Sequence, residues 1–280
     1  MEKILKKYFY IFALPTLIAF FIAFFVPFIL GMYLSFTEFT TVTNSKFVGL
    51  SNYVKVFHNK DFLNALIFTA KFTVISVLSI NIFAFILALF LTRGLKGSNI
   101  LRSSFFMPNL IGGIVLGYIW QLIINGVLYK FGVTMTYDPK YGFWGLVILM
   151  NWQMIGYMMI IYIAGIQNVP EDLIEAAKID GADSFKILRS IKIPMIMPSI
   201  TICLFLTISN SFKLFDQNLA LTAGAPAKKT AMLALDIFNT FYGSVGSEGI
   251  GQAKAVMFFL LVGVFAFAQL AFTRNKEVES

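Results

Sequence analysis

Six stretches of this sequence contain no aspartate, glutamate, lysine or arginine over 19 residues or more. They cover residues 8–37, 72–92, 103–129, 141–170, 193–212 and 255–273. A helix that crosses the roughly 30 Å hydrocarbon layer of a bilayer needs about 20 mostly apolar residues. A membrane β-barrel would instead show alternation along strands of about 10 residues, which these continuous runs lack. The pattern therefore predicts an all-α integral membrane protein with six transmembrane helices.

The predicted spans follow these runs, and no linker, low-complexity segment or obvious internal repeat divides the chain. We therefore expect one transmembrane domain over residues 1–280. The approximate bounds of its spans are 11–36, 67–92, 104–125, 143–166, 195–215 and 254–273.

The composition agrees with a membrane solvent. Only 13% of the residues are charged, about half of the ~25% that is usual in soluble proteins. This excludes a soluble globular protein, a disordered chain and a disulfide scaffold. A nucleic-acid-binding protein would carry the net charge of +8 on one solvated face, and most of this chain has no charge to place there.

The basic residues indicate an orientation instead, because cytoplasmic loops are enriched in Lys and Arg. With a cytoplasmic N-terminus, the inner side carries 12 of them and the outer side 7, and all four Arg lie inside. We therefore expect both termini in the cytoplasm. The inner residues are Lys3, Lys6, Lys7, Arg93, Lys96, Arg102, Lys178, Lys186, Arg189, Lys192, Arg274 and Lys276.

The residues that catalysis would need are scarce. The chain has one His, His58, in an outer loop and one Cys, Cys203, in an apolar run, whereas metal sites and Cys/His nucleophiles need clusters. No acid lies within any of the six runs, which argues against an intramembrane proton relay, and no phosphate-binding Gly-Lys-Ser/Thr loop is present. We expect a chain without catalytic activity, metal or cofactor of its own.

The inner loop, residues 168–194, has a helical pattern of its own. Three acids, Glu171, Asp172 and Glu175, suit the positive N-terminal end of a short helix. Gly181 ends that helix, and a second apolar pattern starts at Phe185. The first helix is either an amphipathic helix lying on lipid or a docking element for a protein. The acids favour docking, because helices that lie on lipid prefer Lys and Arg on their polar face.

The spacing in this loop resembles the EAA loop of membrane subunits of binding-protein-dependent ABC importers. That pattern is EAA, three residues, Gly, nine residues and I-x-L-P. Glu175-Ala176-Ala177, Gly181 and the segment 191–194 match it, with Ile193 in place of Leu. Three further stretches resemble sugar-uptake permeases of the MalF/UgpA type. They are residues 47–53 (F-x-G-L-x-N-Y), residues 102–108, and the segment 211–226, where Ala225 replaces a Gly.

The resemblance implies a type I ABC importer permease fold in a bacterial cytoplasmic membrane. It also implies a second, usually non-identical permease, two cytoplasmic ATPase subunits that hold the ATP and Mg²⁺, and an external sugar-binding protein. Each EAA loop would be a coupling helix in a cleft of one ATPase subunit. The residues implied in that contact are Glu175, Ala176, Ala177, Asp180 and Gly181.

For the substrate pathway, sugars need aromatic faces for their C–H patches and amides or hydroxyls for their hydroxyl groups. In the maltose permease of this family the fourth and fifth spans hold the sugar. The resemblance therefore points to Asn151, Trp152, Tyr157, Thr207, Asn210, Ser211 and Lys213. The alternative is that the polar members join helices and that the Trp and Tyr residues belong to interfacial belts.

Lys213 leaves two interpretations open. As a cation facing the pathway it would favour an anionic sugar, and as a lysine near a helix end it would snorkel outward or pair with Asp216. For the chain as a whole, a permease for another solute, such as glycerol-phosphate or a polyamine, is the alternative to sugar import. A secondary transporter would need ionisable residues for ion coupling within its spans, which these runs lack.

Overall fold

A computed structural model describes residues 2–94 and 96–274; Lys276, counted above on the cytoplasmic side, lies outside the described residues. The described residues are mostly helical, which confirms the predicted fold class. The helices are α1 Glu2–Phe20, α2 Val26–Leu34, α3 Ser51–Phe57, α4 Lys60–Leu91, α5 Ser98–Phe106, α6 Gly113–Tyr129, α7 Pro139–Gln167, α8 Glu171–Ile179, α9 Ser184–Ile187, α10 Ile193–Met195, α11 Met197–Phe212, α12 Asp216–Leu221, α13 Leu233–Gly243 and α14 Glu248–Arg274.

Shorter pieces join these helices. A π-helical turn, Phe21–Phe25, links α1 to α2, and a second one, Leu188–Lys192, links α9 to α10. A 3₁₀ turn, Met107–Leu110, follows α5. Strands β1, Thr37–Phe39, and β2, Ser45–Phe47, form an antiparallel hairpin in which Thr37 pairs with Phe47.

Four helices in the described residues are long and apolar enough to cross a membrane: Ala13–Leu34, Lys60–Leu91, Pro139–Gln167 and Glu248–Arg274. Two bent pairs pass the same test together. Ser98–Leu110 meets Gly113–Tyr129 at 100°, and Ser184–Met195 meets Met197–Phe212 at 70°. The total is six if each pair is one span, so the six-span arrangement stays a prediction.

Prolines and glycines account for the two bends. Pro108 opens the 3₁₀ turn, Ile111 is extended (φ −85°, ψ 129°), and α6 restarts after Gly112. The second bend lies at Ile196, between Pro194 and Pro198. Proline removes a backbone donor and clashes with the preceding turn, so a run that is uniformly apolar does not have to be one straight helix.

The described residues fall into two compact units. The first contains the residues up to Asn59 together with Ile237–Phe259, and the second contains Lys60–Asp236 and the residues from Leu260 onward. The prediction of one domain over residues 1–280 is not tested by this division.

In the first unit, the F-x-G-L-x-N-Y stretch holds the end of α2. The Asn52 side chain, which is buried, donates to the carbonyls of Ser35 and Thr37 at 3.0 and 2.9 Å. The hydroxyls of Tyr53 and Ser35 lie 2.6 Å apart. Since the last carbonyls of a helix have no partners within it, Asn52 supplies a donor at the end of α2 and also ties that end to the start of β1.

In the second unit, α4 packs against α7 and α11. The buried core includes Phe72, Ile80, Leu149, Met158 and Cys203. On the opposite side of α4, large apolar side chains stay more than half exposed: Ile82, Phe83, Ile86 and Phe90. Exposure of this extent is expected in a membrane, because lipid chains are as apolar as these side chains and contact between them carries no free-energy penalty.

Three helices of this unit meet at Asn81 on α4. Its amide donates to the Thr207 hydroxyl of α11 at 3.0 Å, and the Tyr162 hydroxyl of α7 donates to its amide oxygen at 2.7 Å. Each such bond contributes about 0.6 kcal/mol in a membrane bundle, and together they fix how the three helices are rotated against one another.

Helix α5 lies against α7 at a glycine. A Cβ at Gly156 would overlap the backbone carbonyl of Phe105. Only a residue without a side chain allows two backbones to approach this closely.

We therefore expect Gly156→Ala to lower the thermal stability of the purified chain, because overpacking of this kind costs about 1–3 kcal/mol or more. Gly126→Ala is the matched control: it also lies inside a helix, but a Cβ there would meet nothing within 4 Å. The measurement is the melting temperature of each variant in detergent. Equal melting temperatures for both variants would contradict the close packing of α5 on α7.

Candidate functional site

The inner loop forms the predicted helix, bend and second helix. Helix α8 has Glu171 and Asp172 in its first turn. Its end is closed by two backbone bonds, from Gly181 to the Lys178 carbonyl at 3.0 Å and from Ala182 to the Ala177 carbonyl at 2.9 Å. This pair of bonds is a Schellman motif with Gly181 at the left-handed position (φ +77°).

The motif gives a physical reason for the spacing between EAA and Gly. The Ala177 carbonyl accepts the bond from the Ala182 backbone, and Gly181, four residues after Ala177, makes the turn. Two residues further on, the Asp183 side chain accepts from the Lys186 backbone at 2.7 Å and caps α9. The two helices are thus joined by a short, fully specified connection.

The surface of this loop is both acidic and apolar. Glu175, Ala176, Asp180 and Gly181 are exposed, and Ala177 is half-buried. Three large apolar side chains are also left uncovered: Ile179 is 86% exposed, Phe185 is 68% exposed and Leu173 is 46% exposed. Exposed apolar residues beside acids are typical of a helix that docks into a groove of another protein.

A second feature is a cavity of about 450 Å³ within the second unit. Its wall is built by the 3₁₀ turn before α6, by α7, by the end of α11 and by α12. The lining residues are Asn109, Met150, Gln153, Met154, Tyr157, Leu206, Asn210, Lys213, Leu214 and Gln217.

Amide groups dominate the polar part of this wall. Gln217 donates to the Gln153 amide oxygen at 2.8 Å, and Gln153 in turn donates to the Ile111 carbonyl at 3.4 Å. The Asn210 amide donates to the Leu206 carbonyl of its own helix at 2.9 Å. Together with the Tyr157 ring, these groups offer hydrogen bonds and one aromatic face to a polar ligand.

Lys213 supplies the positive charge of the cavity. It is exposed and follows the last residue of α11. Among the described residues it forms no ion pair, so the expected alternative of pairing with Asp216 is not formed within 4.0 Å. No acid is found among the described residues that line the cavity.

The predicted pathway residues therefore separate into two groups. Tyr157, Asn210 and Lys213 share the cavity. The other four lie elsewhere in the unit, and the placement of each has a local explanation. These four residues are Asn151, Trp152, Thr207 and Ser211.

Thr207 is fully buried in the junction with Asn81. Ser211 is buried with its hydroxyl 4.0 Å from the Met150 sulfur. Their part in a substrate pathway stays a prediction, and the structure gives Thr207 a second role in joining α4 to α11.

Asn151 donates to the Val147 carbonyl at 2.8 Å, and its buried amide oxygen has no partner among the described residues. Trp152 is 44% exposed and packs edge-to-face on Trp120, with ring centroids 5.7 Å apart. A half-exposed Trp such as Trp152 is also typical of a membrane interface.

Two polar residues of the cavity, Asn109 and Gln217, were not predicted as site candidates. Gln153 stands out in the sequence as an amide within a charge-free run, but it is not among the residues to which the resemblance points. Asn109 follows Pro108 in a turn that the sequence pattern predicted as a straight span. Gln217 belongs to α12, just beyond the fifth predicted span.

Comparisons with known proteins show which protein family the chain resembles. Residues 80–277 match the family described as "Binding-protein-dependent transport system inner membrane component". The chain is 44% identical over 97% of its length, and 96% of the relative's, to the "Probable starch degradation products transport system permease protein AmyD" of Thermoanaerobacterium thermosulfurigenes. It is 32% identical over 83% of its length, and 82% of the relative's, to the trehalose/maltose transport system permease protein MalF of Thermococcus litoralis.

A solved structure supports the fold. The chain superposes with a TM-score of 0.82 on a chain of a bacterial ABC transporter involved in the import of the acidic polysaccharide alginate. The two are 21% identical, and the match covers 98% of each chain. The multi-pass helical architecture, the EAA loop and these matches lead to one conclusion: the chain belongs to the family of binding-protein-dependent transport system inner membrane components.

Proposed function

We propose that this chain forms half of the translocation pathway of an ATP-driven importer for a sugar or oligosaccharide that an external binding protein delivers. The observation that carries the proposal is the 450 Å³ cavity, where amides, one tyrosine ring and one lysine converge at the end of α11. Relatives named for starch degradation products and for trehalose and maltose support a sugar over glycerol-phosphate or a polyamine.

The cavity chemistry suits a carbohydrate. Amide groups can donate to and accept from sugar hydroxyls, and Tyr157 offers a ring face to the apolar C–H patches of a pyranose. Gln153 and Gln217 are held by bonds to each other and to the Ile111 carbonyl, so they are oriented before a ligand arrives. Pre-orientation lowers the entropic cost of binding.

The conformational change that ATP drives would be transmitted to this chain through α8. In the proposed importer, a second permease completes the pathway, two cytoplasmic ATPase subunits bind ATP and Mg²⁺, and α8 sits in a cleft of one of them. Glu175 would pair with a basic side chain there, while Ala176 and Ala177 permit close approach and Asp180 and Gly181 form the turn. This arrangement requires α8 to face the cytoplasm, in a bacterial cytoplasmic membrane with both termini inside.

We expect Glu175→Gln to weaken the association of the permease with its ATPase subunits by about ten- to a hundredfold, because a charge-assisted hydrogen bond contributes about 1.5–3 kcal/mol. The measurement is retention of the ATPase subunits on the purified permease, together with ATPase activity stimulated by sugar-loaded binding protein. Glu171→Gln, an equal change of charge on the same helix, is the matched control. Equal retention by the two variants would contradict the proposed contact.

A second prediction concerns Lys213. If its ammonium group meets the solute, Lys213→Met should raise the KM for uptake of an anionic oligosaccharide by about tenfold and leave the uptake of a neutral one nearly unchanged. Lys229→Met is the control, since Lys229 is an exposed lysine in the loop after α12. Equal KM values for Lys213→Met and the unmodified chain on both solutes would show that Lys213 does not select for charge.

A further inference from the structure

A separate groove lies between α4 and α7, away from the sugar cavity. It has a volume of about 630 Å³, and its lining includes Phe68, Lys71, Lys140, Phe143 and Trp144. Both lysines are exposed, and neither forms an ion pair with any of the described residues. Two like charges that share one cavity repel each other, and an anion placed between them would remove the repulsion.

The sequence puts the two lysines at one level of the membrane. Lys71 immediately precedes the charge-free run 72–92, and Lys140 immediately precedes the run 141–170. In the predicted topology, both runs start at the outer face. Trp144, one turn after Lys140, is 52% exposed, as expected of an aromatic residue at the headgroup level.

An apolar cavity borders the groove along α4. This second cavity, of about 270 Å³, shares Ala70 and Val74 with the first and extends one turn further along α4 to Val77 and Leu78. Its far wall is formed by Phe212 and Phe265, and its exposed lining is entirely apolar. We call the two adjoining cavities the trough; the first has a cationic mouth, and the second is apolar.

We propose that this trough binds an acidic phospholipid of the outer leaflet. The phosphate lies between Lys71 and Lys140, and one acyl chain follows Val74, Val77 and Leu78 along α4, beside Phe265. Basic side chains at a membrane surface attract anionic lipids, and apolar walls match an acyl chain. A free phosphate would satisfy the lysines but leave the apolar trough unfilled, so the observations favour a lipid. The proposal requires only that the chain is embedded in a membrane, not that it transports sugar.

The test uses Trp144 as the reporter. The full-length chain carrying Trp120→Phe and Trp152→Phe retains Trp144 as its one tryptophan and is reconstituted in phosphatidylcholine vesicles. A minor fraction of the lipid is brominated on its acyl chains, as either phosphatidylglycerol or phosphatidylcholine, and bromine quenches nearby tryptophan fluorescence. We expect brominated phosphatidylglycerol to quench Trp144 with a roughly tenfold higher apparent affinity.

Lysine variants identify the site. Lys71→Ala with Lys140→Ala should abolish the preference for phosphatidylglycerol, whereas Lys71→Arg with Lys140→Arg should keep it. The matched control is Lys130→Ala with Lys229→Ala, which removes two exposed lysines of the same predicted face and outside the groove. A preference that survives the first pair, or that the control pair loses equally, overturns the proposal.

Two further outcomes separate other occupants. If inorganic phosphate alone shifts Trp144 fluorescence in phosphatidylcholine vesicles while brominated phosphatidylglycerol does not quench it, the groove binds a free anion. If neither brominated lipid reaches Trp144 once the chain is assembled with its partner subunits, a protein covers the groove. Either result rejects the lipid site and leaves the proposed transport function intact, because sugar uptake is measured separately.

Discussion

A lipid bilayer offers no water to peptide groups, so every carbonyl at a helix end inside it needs a partner from the protein. This chain bends its apolar segments at two places and therefore creates such ends. Long polar side chains supply partners at one of these bends and at two other helix ends. Arg102 donates to the Leu91 carbonyl at the end of α4 at 3.3 Å, and Gln121 donates to the Leu221 carbonyl at the end of α12 at 3.1 Å. Gln153 does the same for Ile111 at the first bend.

The same requirement shapes the candidate sugar cavity. The 3₁₀ turn before α6 leaves the Ile111 carbonyl without a helical partner. Gln153 donates a hydrogen bond to this carbonyl, and Gln217 donates to Gln153. The interrupted helix therefore explains the positions of the amides that line the cavity as much as ligand binding does.

Asn218, the residue after Gln217, fixes the loop after α12. Its amide group donates to the Thr230 carbonyl at 2.8 Å and accepts from the Met232 backbone N–H at 2.9 Å. In the same loop, a hydrogen bond to Asp61 raises the pKa of Lys228.

How far the sequence predicts this structure depends on the range of the interactions involved. The helix after residue 170 and the turn at Gly181 follow from local signals, and both were predicted. The charge gaps likewise predicted an all-helical membrane protein. The bend at Pro108 was not predicted, because apolar periodicity does not distinguish a straight span from a broken one, whereas the predicted boundary between the inner loop and the fifth span, at residues 194 and 195, lies next to the bend at Ile196. Thr207 shows the limit for the site: its partner Asn81 is 126 residues away, and a polar residue in an apolar run looks the same whether it faces a cavity or another helix.

The inner loop and the part of the cavity wall between Leu206 and Gln217 lie on one continuous stretch of chain, and this continuity gives the proposed function a mechanical basis. The Schellman turn and the Asp183 cap leave little freedom between α8 and α9. Beyond the 70° bend at Ile196, α11 leads directly to Asn210 and Lys213. Close to the bend, a Cβ at Gly165 of α7 would overlap Ser199, so the start of α11 is held tightly against its neighbour. In the proposed importer, this contact would hold the start of α11 in place while the other end of the helix carries part of the cavity wall. The turn at Gly181, the cap at Asp183 and the close contact at Gly165 each follow from a small residue or a cap rather than from the apolar pattern.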